Sequence, residues 1–187
     1  MINPAMETER FTLEFFAGGS KVFLRPAVKE DAFDIIENVE EIIQKGRYLQ
    51  KERVRTIEEE QAFIEEMKQK DNMYTAVEVD GRVVGIARLI RGELKMKRHT
   101  AFFRTWLSNS AQGIGLGNKM MDYTIHWGKL HGLHKICLTV FAANKIARQL
   151  YEKYGFVVEG VQKQQVYFNG EYDDEIMMAY FYNNPTP

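Results

Sequence analysis

The apolar positions of this chain change their period along its length, and the period predicts the elements. Residues 11–16 and 21–25 are short apolar runs on either side of Gly18, Gly19 and Ser20, the pattern of a β-hairpin. Pro26 ends the second run. From about Asp31 to Gln44 the spacing becomes helical, with Phe33, Ile36, Val39, Ile42 and Ile43 as the apolar stripe. Thr56 followed by Glu59 has the form of a capping box and opens a second helix toward Lys70. The acidic run Glu58, Glu59 and Glu60 reads as a solvated face that also suits the positive end of that helix. Residues 74–79 and 82–90 return to strand spacing around a two-residue Asp80-Gly81 turn. A polar connection over 92–99 leads to a strand over 100–107.

The later part alternates helix and strand. Leu116, Met120, Tyr123, Thr124, Trp127 and Leu130 form the packing stripe of a helix from about Gly115 to His131, and Gly132 suits the position just past its end. Residues 135–141 read as a core strand. Asn144 is placed to cap a helix that ends near Tyr154, with Gly155 as its stop. Residues 156–165 and 172–181 are extended, with the turn between their strands at Asn169-Gly170, and 185–187 read as a frayed tail. With no internal repeat and no linker rich in Pro, Gly or Ser, one mixed α/β domain over 1–187 is predicted.

Composition narrows the function classes. A length of 187 residues fits one domain with a sizeable core. Lys and Arg total 25 against 26 Asp and Glu, so no general nucleic-acid surface is expected. Tyr74, Phe102, Phe103 and Tyr167 could serve as base-stacking residues, but aromatics at strand positions are more simply core. The single cysteine, Cys137, excludes an intrachain disulfide and reads as a small hydrophobe in its strand. Residues 1–10 lack the apolar stretch of a signal peptide, and no run reaches the ~18 apolar residues of a membrane span. A cytoplasmic protein with no membrane partner is the expectation.

The candidate chemistry lies between the strand over 100–107 and the helix that follows. Gly113, Gly115 and Gly117 alternate there. A backbone without side chains lets a ligand approach closely, and its amides, added to those of a helix start, suit a pyrophosphate. A dinucleotide loop, G-x-G-x-x-G, fails because Asn118 stands at the third glycine. A P-loop fails because the same frame gives Asn118, Lys119 and Met120 where Gly, Lys and Ser or Thr belong.

Gln112-Gly-Ile-Gly115-Leu-Gly117 instead resembles the Q/R-x-x-G-x-G/A acyl-CoA loop of the GNAT N-acetyltransferase superfamily. A second stretch resembles that family's later signature: a strand, then Asn144, Ala147, Leu150-Tyr151 and Gly155-Phe156. Leu24-Arg-Pro-Ala27 with Glu30-Asp-Ala32, and Gly170-Glu-Tyr-Asp-Asp174, are also similar to the family's opening and close. The resemblance covers about residues 22–181, and the C-terminal pattern is most similar to relatives acting on polyamines or on ribosomal-protein N-termini. It implies a mixed α+β GNAT fold: a central, mostly antiparallel sheet flanked by helices, here with an extra N-terminal hairpin.

The resemblance also implies a reaction and its residues. Acetyl-CoA would be the cosubstrate, with no metal, and an amine would attack it directly in a ternary complex. The pantetheine arm would pair with backbone near Trp106 and Leu107, and the Leu107 N–H would act as oxyanion donor. The backbone of Gln112, Gly113, Ile114, Gly115, Leu116 and Gly117 would hold the pyrophosphate. Asn144 and Tyr151 share a helix face by their spacing. Asn144 would cap the helix, contact the cofactor, or do both, and Tyr151 would be the general acid toward the departing thiolate. Phe102 stands where many relatives carry a glutamate base. That leaves water or a carboxylate such as Glu93, Asp173 or Asp174 to take the proton. His99, His126, His131 and His134 are not spaced as a metal cluster. The acceptor is a small-molecule amine such as a polyamine, or a protein N-terminus, and a homodimer is among the assemblies the resemblance allows. The alternative is a silent acetyl-CoA-binding module of the same fold.

Overall fold

The computed structural model describes residues 11–45 and 53–182; the expectations for 1–10 and for the tail at 185–187 lie outside the described residues. The chain falls into two compact units: Met1–Ile90 with Arg104–His131, and Arg91–Phe103 with Gly132–Pro187.

The first unit begins with the expected hairpin, β1 (Leu13–Ala17) and β2 (Ser20–Pro26). Helices α1 (Ala32–Lys45) and α2 (Ile57–Gln69) follow, then β3 (Met73–Val79) and β4 (Arg82–Arg91). Strands β1 to β4 pair antiparallel in chain order. The second half of β5 (Thr100–Leu107) and helix α3 (Leu116–Leu130) complete the unit. Ile35 and Val39 of α1 and Ile64 and Met67 of α2 form one core with Tyr74, Ala76, Val83 and Ile86 of the sheet. Phe33 was expected on the apolar stripe of α1, but it is exposed and Ile35 is buried in its place. Ala32, Ile35 and Val39 recur at helical spacing, one residue out of step with Phe33. Asp34 accepts the Val83 N–H at 2.9 Å and Asn38 donates to the Val83 carbonyl at 2.9 Å, which fixes α1 along β4.

The opening motif has a physical role. Arg25 grips Asp31 with two hydrogen bonds of 2.8 Å, and Asp31 also accepts the Val28 N–H. The bidentate pair joins the end of β2 to the turn into α1. Thr56 and Glu59 cap α2 reciprocally, as their spacing predicts. The solvated-face reading fails at Glu60, which is only 1% exposed. In α3 the expected stripe is buried except Leu130, which is 43% exposed; Met121 is buried instead.

The second unit holds the start of β5, then β6 (Lys135–Phe141), α4 (Lys145–Lys153), β7 (Val157–Phe168) and β8 (Glu171–Phe181). Residues Thr100–Phe102 pair in parallel with Lys135–Cys137, and β6–β8 and β8–β7 are antiparallel. Of the described pairings this is the parallel one, so the eight strands make the mixed, mostly antiparallel fold that was expected. Strand β7 runs past the expected residue 165 to Phe168, broken by register shifts at Val158/Gly160 and Gln162/Val166. Bulges of this kind protect a sheet edge from further pairing. No helix among the described residues is long and apolar enough to cross a membrane.

Candidate active site

The loop of the first unit starts from a close strand contact. A Cβ on Gly85 of β4 would fall 2.5 Å from Leu107 Cδ2 and 2.7 Å from the Trp106 carbonyl oxygen, so only glycine admits β5 this close. Ser108 N–H donates to the Val84 carbonyl at 2.8 Å and extends that contact one residue past β5. Trp106 packs half-buried against the core under α1 and α2. Leu107 is half-buried, and its carbonyl accepts Gln112 Nε2 at 3.2 Å. The glutamine of the motif therefore closes the turn through its side chain.

The backbone then bares itself. Gly113 and Gly115 take φ of 80° and 87°, a region that L side chains rarely adopt. A Cβ on either would meet no atom within 4 Å. Gly115 is the N-cap of α3 and supplies no side-chain acceptor, and the first turn carries no acidic residue. By helix geometry the amides of Leu116 and Gly117 have no intrahelical acceptor. Open space, positive helix end and missing cap together fit an anionic group such as a pyrophosphate. Ile114 is 36% exposed, and a Cβ on Gly18 would lie 3.2 Å from its Cγ2, so the turn of the N-terminal hairpin rests on this loop.

In the second unit Asn144 caps α4, its Oδ1 accepting the Ala147 N–H at 3.2 Å. Tyr151 lies one helical face further on and is 8% exposed. The Gly155 N–H donates to the Glu152 carbonyl and the Phe156 N–H to the Tyr151 carbonyl, a Schellman end for the helix. The Phe156 ring packs 5.8 Å from Tyr151, and Phe103 meets it edge-on at 6.3 Å. The Gly155-Phe156 pair of the motif thus holds Tyr151 by its backbone and by its ring. Phe102 pairs with Cys137 across β5 and β6. Cys137 is half-buried and burial pushes its thiol pKa up, which suits the inert role expected of it.

The candidate bases fare unequally. Asp174 pairs with Lys163 at 2.8 Å and accepts the Gln164 N–H; the lysine bond, then the backbone bond, hold its pKa below the usual carboxylate range. A carboxylate so stabilised is a weak base. Asp173 accepts the N–H groups of Ala143 and Asp174, and Glu93 is exposed between β4 and β5. His126 stacks on Phe11 and His131 on Trp127, while the His99 and His134 rings lie 6.0 Å apart.

A cluster in the first unit was not foreseen. Glu60 accepts the Tyr74 hydroxyl at 2.5 Å and Arg55 Nη1 at 2.8 Å. The Arg55 guanidinium lies 3.8 Å from the Phe63 ring centre, and that of Arg88 lies 5.4 Å from the same ring. The signal available in sequence was an arginine at a strand position directly opposite a tyrosine.

Comparison with known proteins agrees with this geometry. The family model described as "Acetyltransferase (GNAT) family" matches residues 36–156. The spermidine N(1)-acetyltransferase of Escherichia coli K12 is 32% identical over 106 residues, which is 56% of this chain and 56% of that protein. The L-amino acid N-acetyltransferase AaaT of the same organism is 32% identical over 105 residues, 54% of this chain and 63% of that one. The chain therefore spans little more than half the length of the curated relatives it matches. Among solved structures, the putative acetyltransferase yncA of Salmonella typhimurium, determined with its cofactor acetyl-CoA, superposes with a TM-score of 0.81 at 21% identity, covering 89% of this chain and 97% of that one. The ribosomal-protein-alanine N-acetyltransferase of Brucella melitensis gives 0.78 at 19% identity, over 85% and 99%. At such identities the likeness shows the fold.

Proposed function

Because the chain belongs to the acetyltransferase (GNAT) family, we propose that it transfers an acetyl group from acetyl-CoA to a primary amine, of a small molecule or a protein N-terminus, by direct attack in a ternary complex. The observation that carries this reading is the uncapped start of α3 behind the open backbone of Gly113 and Gly115. Acetyl-CoA bound there would supply an activated thioester carbon for the amine to attack. The amides of residues 113–117 hold its pyrophosphate, and Gln112 keeps the turn closed through the Leu107 carbonyl. The Trp106 and Leu107 backbone takes the pantetheine arm. The Leu107 N–H donates to the oxygen on which charge develops. Asn144 contacts the cofactor from the cap of α4. The Tyr151 hydroxyl gives its proton to the sulfur as the carbon–sulfur bond breaks, and regains one from solvent. The ammonium proton of the acceptor leaves through water, since Phe102 offers no base and Asp174 is held ionised.

Calorimetry with acetyl-CoA and a thiol-release assay over a panel of amines test the reading. Binding with turnover supports it. Binding without turnover for any amine supports a silent acetyl-CoA module, a reading that Phe102 at the usual base position favours. No heat with either acetyl-CoA or coenzyme A overturns both. A cytoplasmic homodimer belongs to the same proposal, supported by the exposed Tyr167, Phe168 and Tyr172 of the β7–β8 hairpin and checked by light scattering and cell fractionation.

A further inference from the structure

Two arginines on the sheet of the first unit differ in what surrounds them. Arg25 is satisfied by Asp31 and Glu78 together. Arg88 has neither. Its Nε is buried without a hydrogen-bond partner, and among the described residues no carboxylate lies within ion-pair distance of its guanidinium. The nearby carboxylate, Glu60, already accepts from Arg55 and from Tyr74. Arg55, Arg88 and Glu60 leave the cluster with one positive charge that nothing in the described chain balances. Burial disfavours the charged form of Arg88, and the neighbouring Arg55 disfavours it further. A half-buried cation held beside a second cation costs stability unless an anion joins them.

The location bears on which anion. Tyr74 sits directly opposite Arg88 in the register, and Ala76 opposite Ile86, so Arg88 is on the sheet face that α1 and α2 cover. Trp106 packs against the same cluster. Arg88 lies two residues, about 7 Å, beyond Ile86 along β4. The diphosphate of the donor has its own site in the loop before α3. What remains for Arg88 is the other substrate. Arg55 is 23% exposed, so the cluster is open to solvent on that side.

We propose that Arg88, assisted by Arg55, binds a carboxylate on the acceptor, so that the substrate class is an amine bearing a carboxylate, an amino acid, and not a polyamine. This deepens the acetyl-transfer reading and rests on it. The planar fork of Arg88 offers Nε–H and Nη–H to two oxygens of one carboxylate, and a single negative charge neutralises the cluster. A polycation would meet two guanidiniums and a glutamate already committed to protein donors.

The test uses matched amines that differ by the carboxylate alone: methionine against 3-(methylthio)propylamine, phenylalanine against phenethylamine, and ornithine against putrescine, with spermidine alongside. On the full chain with acetyl-CoA, the carboxylate member is expected to lead by more than ~10-fold in kcat/KM, because its absence leaves the arginine unpaired. Arg88→Gln should erase the preference, and Arg88→Lys should restore part of it. The melting temperature of Arg88→Gln should hold or rise, since no protein partner is lost. Equal rates within pairs, a preference for spermidine, or a clear fall in melting temperature overturns the assignment. A binding arm separates the two ideas. N-acetylmethionine and N-acetyl-3-(methylthio)propylamine are titrated by saturation-transfer NMR with and without coenzyme A. Failure of acetyl-CoA to bind removes the transfer reading. Carboxylate-selective binding lost in Arg88→Gln supports the anion site on its own, and absence of that selectivity overturns it.

Discussion

The first unit carries two anion sites of opposite construction. The loop before α3 is made of backbone: Gly113 and Gly115 at positive φ, a helix start without a capping side chain, and nothing where a Cβ would be. The cluster around Arg88 is made of side chains drawn from the approach to α2, from α2 itself, and from β3 and β4. The first is written in consecutive residues and tolerates no added atoms. The second is written in residues 33 positions apart, Arg55 to Arg88, and depends on each atom being there. A site of amides is lost by adding a side chain; a site of side chains is lost by removing one.

Glu60→Ala tests that contrast with the largest expected effect. It leaves the Arg55 guanidinium and the Tyr74 hydroxyl facing an empty buried position. Breaking a buried pair from one side costs about 3 kcal/mol, toward the low end of the usual range because Arg55 keeps contact with water. Urea denaturation of the variant measures it. A loss below about 0.5 kcal/mol, the scale of an ordinary surface change, would mean that the cluster is not a bound network.

Gly115→Val is the reverse operation. The added side chain meets no protein atom, so its structural cost is the left-handed backbone alone, about 1–2 kcal/mol. Its functional cost should be larger: acetyl-CoA affinity falls by ~10-fold or more as the methyl groups occupy the phosphate's approach. Calorimetry on the folded variant reads it, and unchanged affinity would move the pyrophosphate elsewhere.

Tyr151→Phe stands between the two constructions, because a backbone motif holds a functional side chain. Phe103 and Phe156 still pack on the ring, so stability should hold. Turnover should drop by about 10-fold, equivalent to 1.4 kcal/mol of barrier, through the lost proton donor. Full turnover would reduce Tyr151 to a packing residue.

What could be read from sequence follows the same division. The hairpin, the α2 cap, the Asn144 cap and the glycine stops were legible because each is fixed by neighbours in the chain. The loop was legible for the same reason. Glu60 was misread because its two acidic neighbours set a solvated pattern that only Tyr74 and Arg55 overrule. Gly85 looked like an interruption of a strand until β5 was seen to press on it. Arg88 looked like an outward strand residue, and its missing counter-ion is a property of the assembled face. Phe33 and Leu130 were misplaced by a one-residue drift in helical phase, which apolar residues on both sides of a stripe cannot resolve.

The smallest effect concerns the cap of α2, the element that brings Glu60 and Phe63 into the side-chain cluster. Thr56→Ala removes the acceptor of the Glu59 N–H and should cost ~1 kcal/mol. Its partner Glu59 gives the same link a pH signature. The Arg53 hydrogen bond, then the Thr56 N–H, push the Glu59 carboxyl down to about 2 from its ordinary value near 4.5. A folded pKa below the unfolded one contributes stability that is whole above about 4.5 and is lost as the pH falls toward about 2. Glu59→Gln should therefore lower the melting temperature at pH 7 and leave it nearly unchanged at pH 2. Glu59 is solvent-facing, so the difference should shrink in 1 M salt. If the two proteins melt apart equally at both pH values, the cap acts through packing alone, and the charge on this helix start plays no part in holding α2 against the arginine cluster.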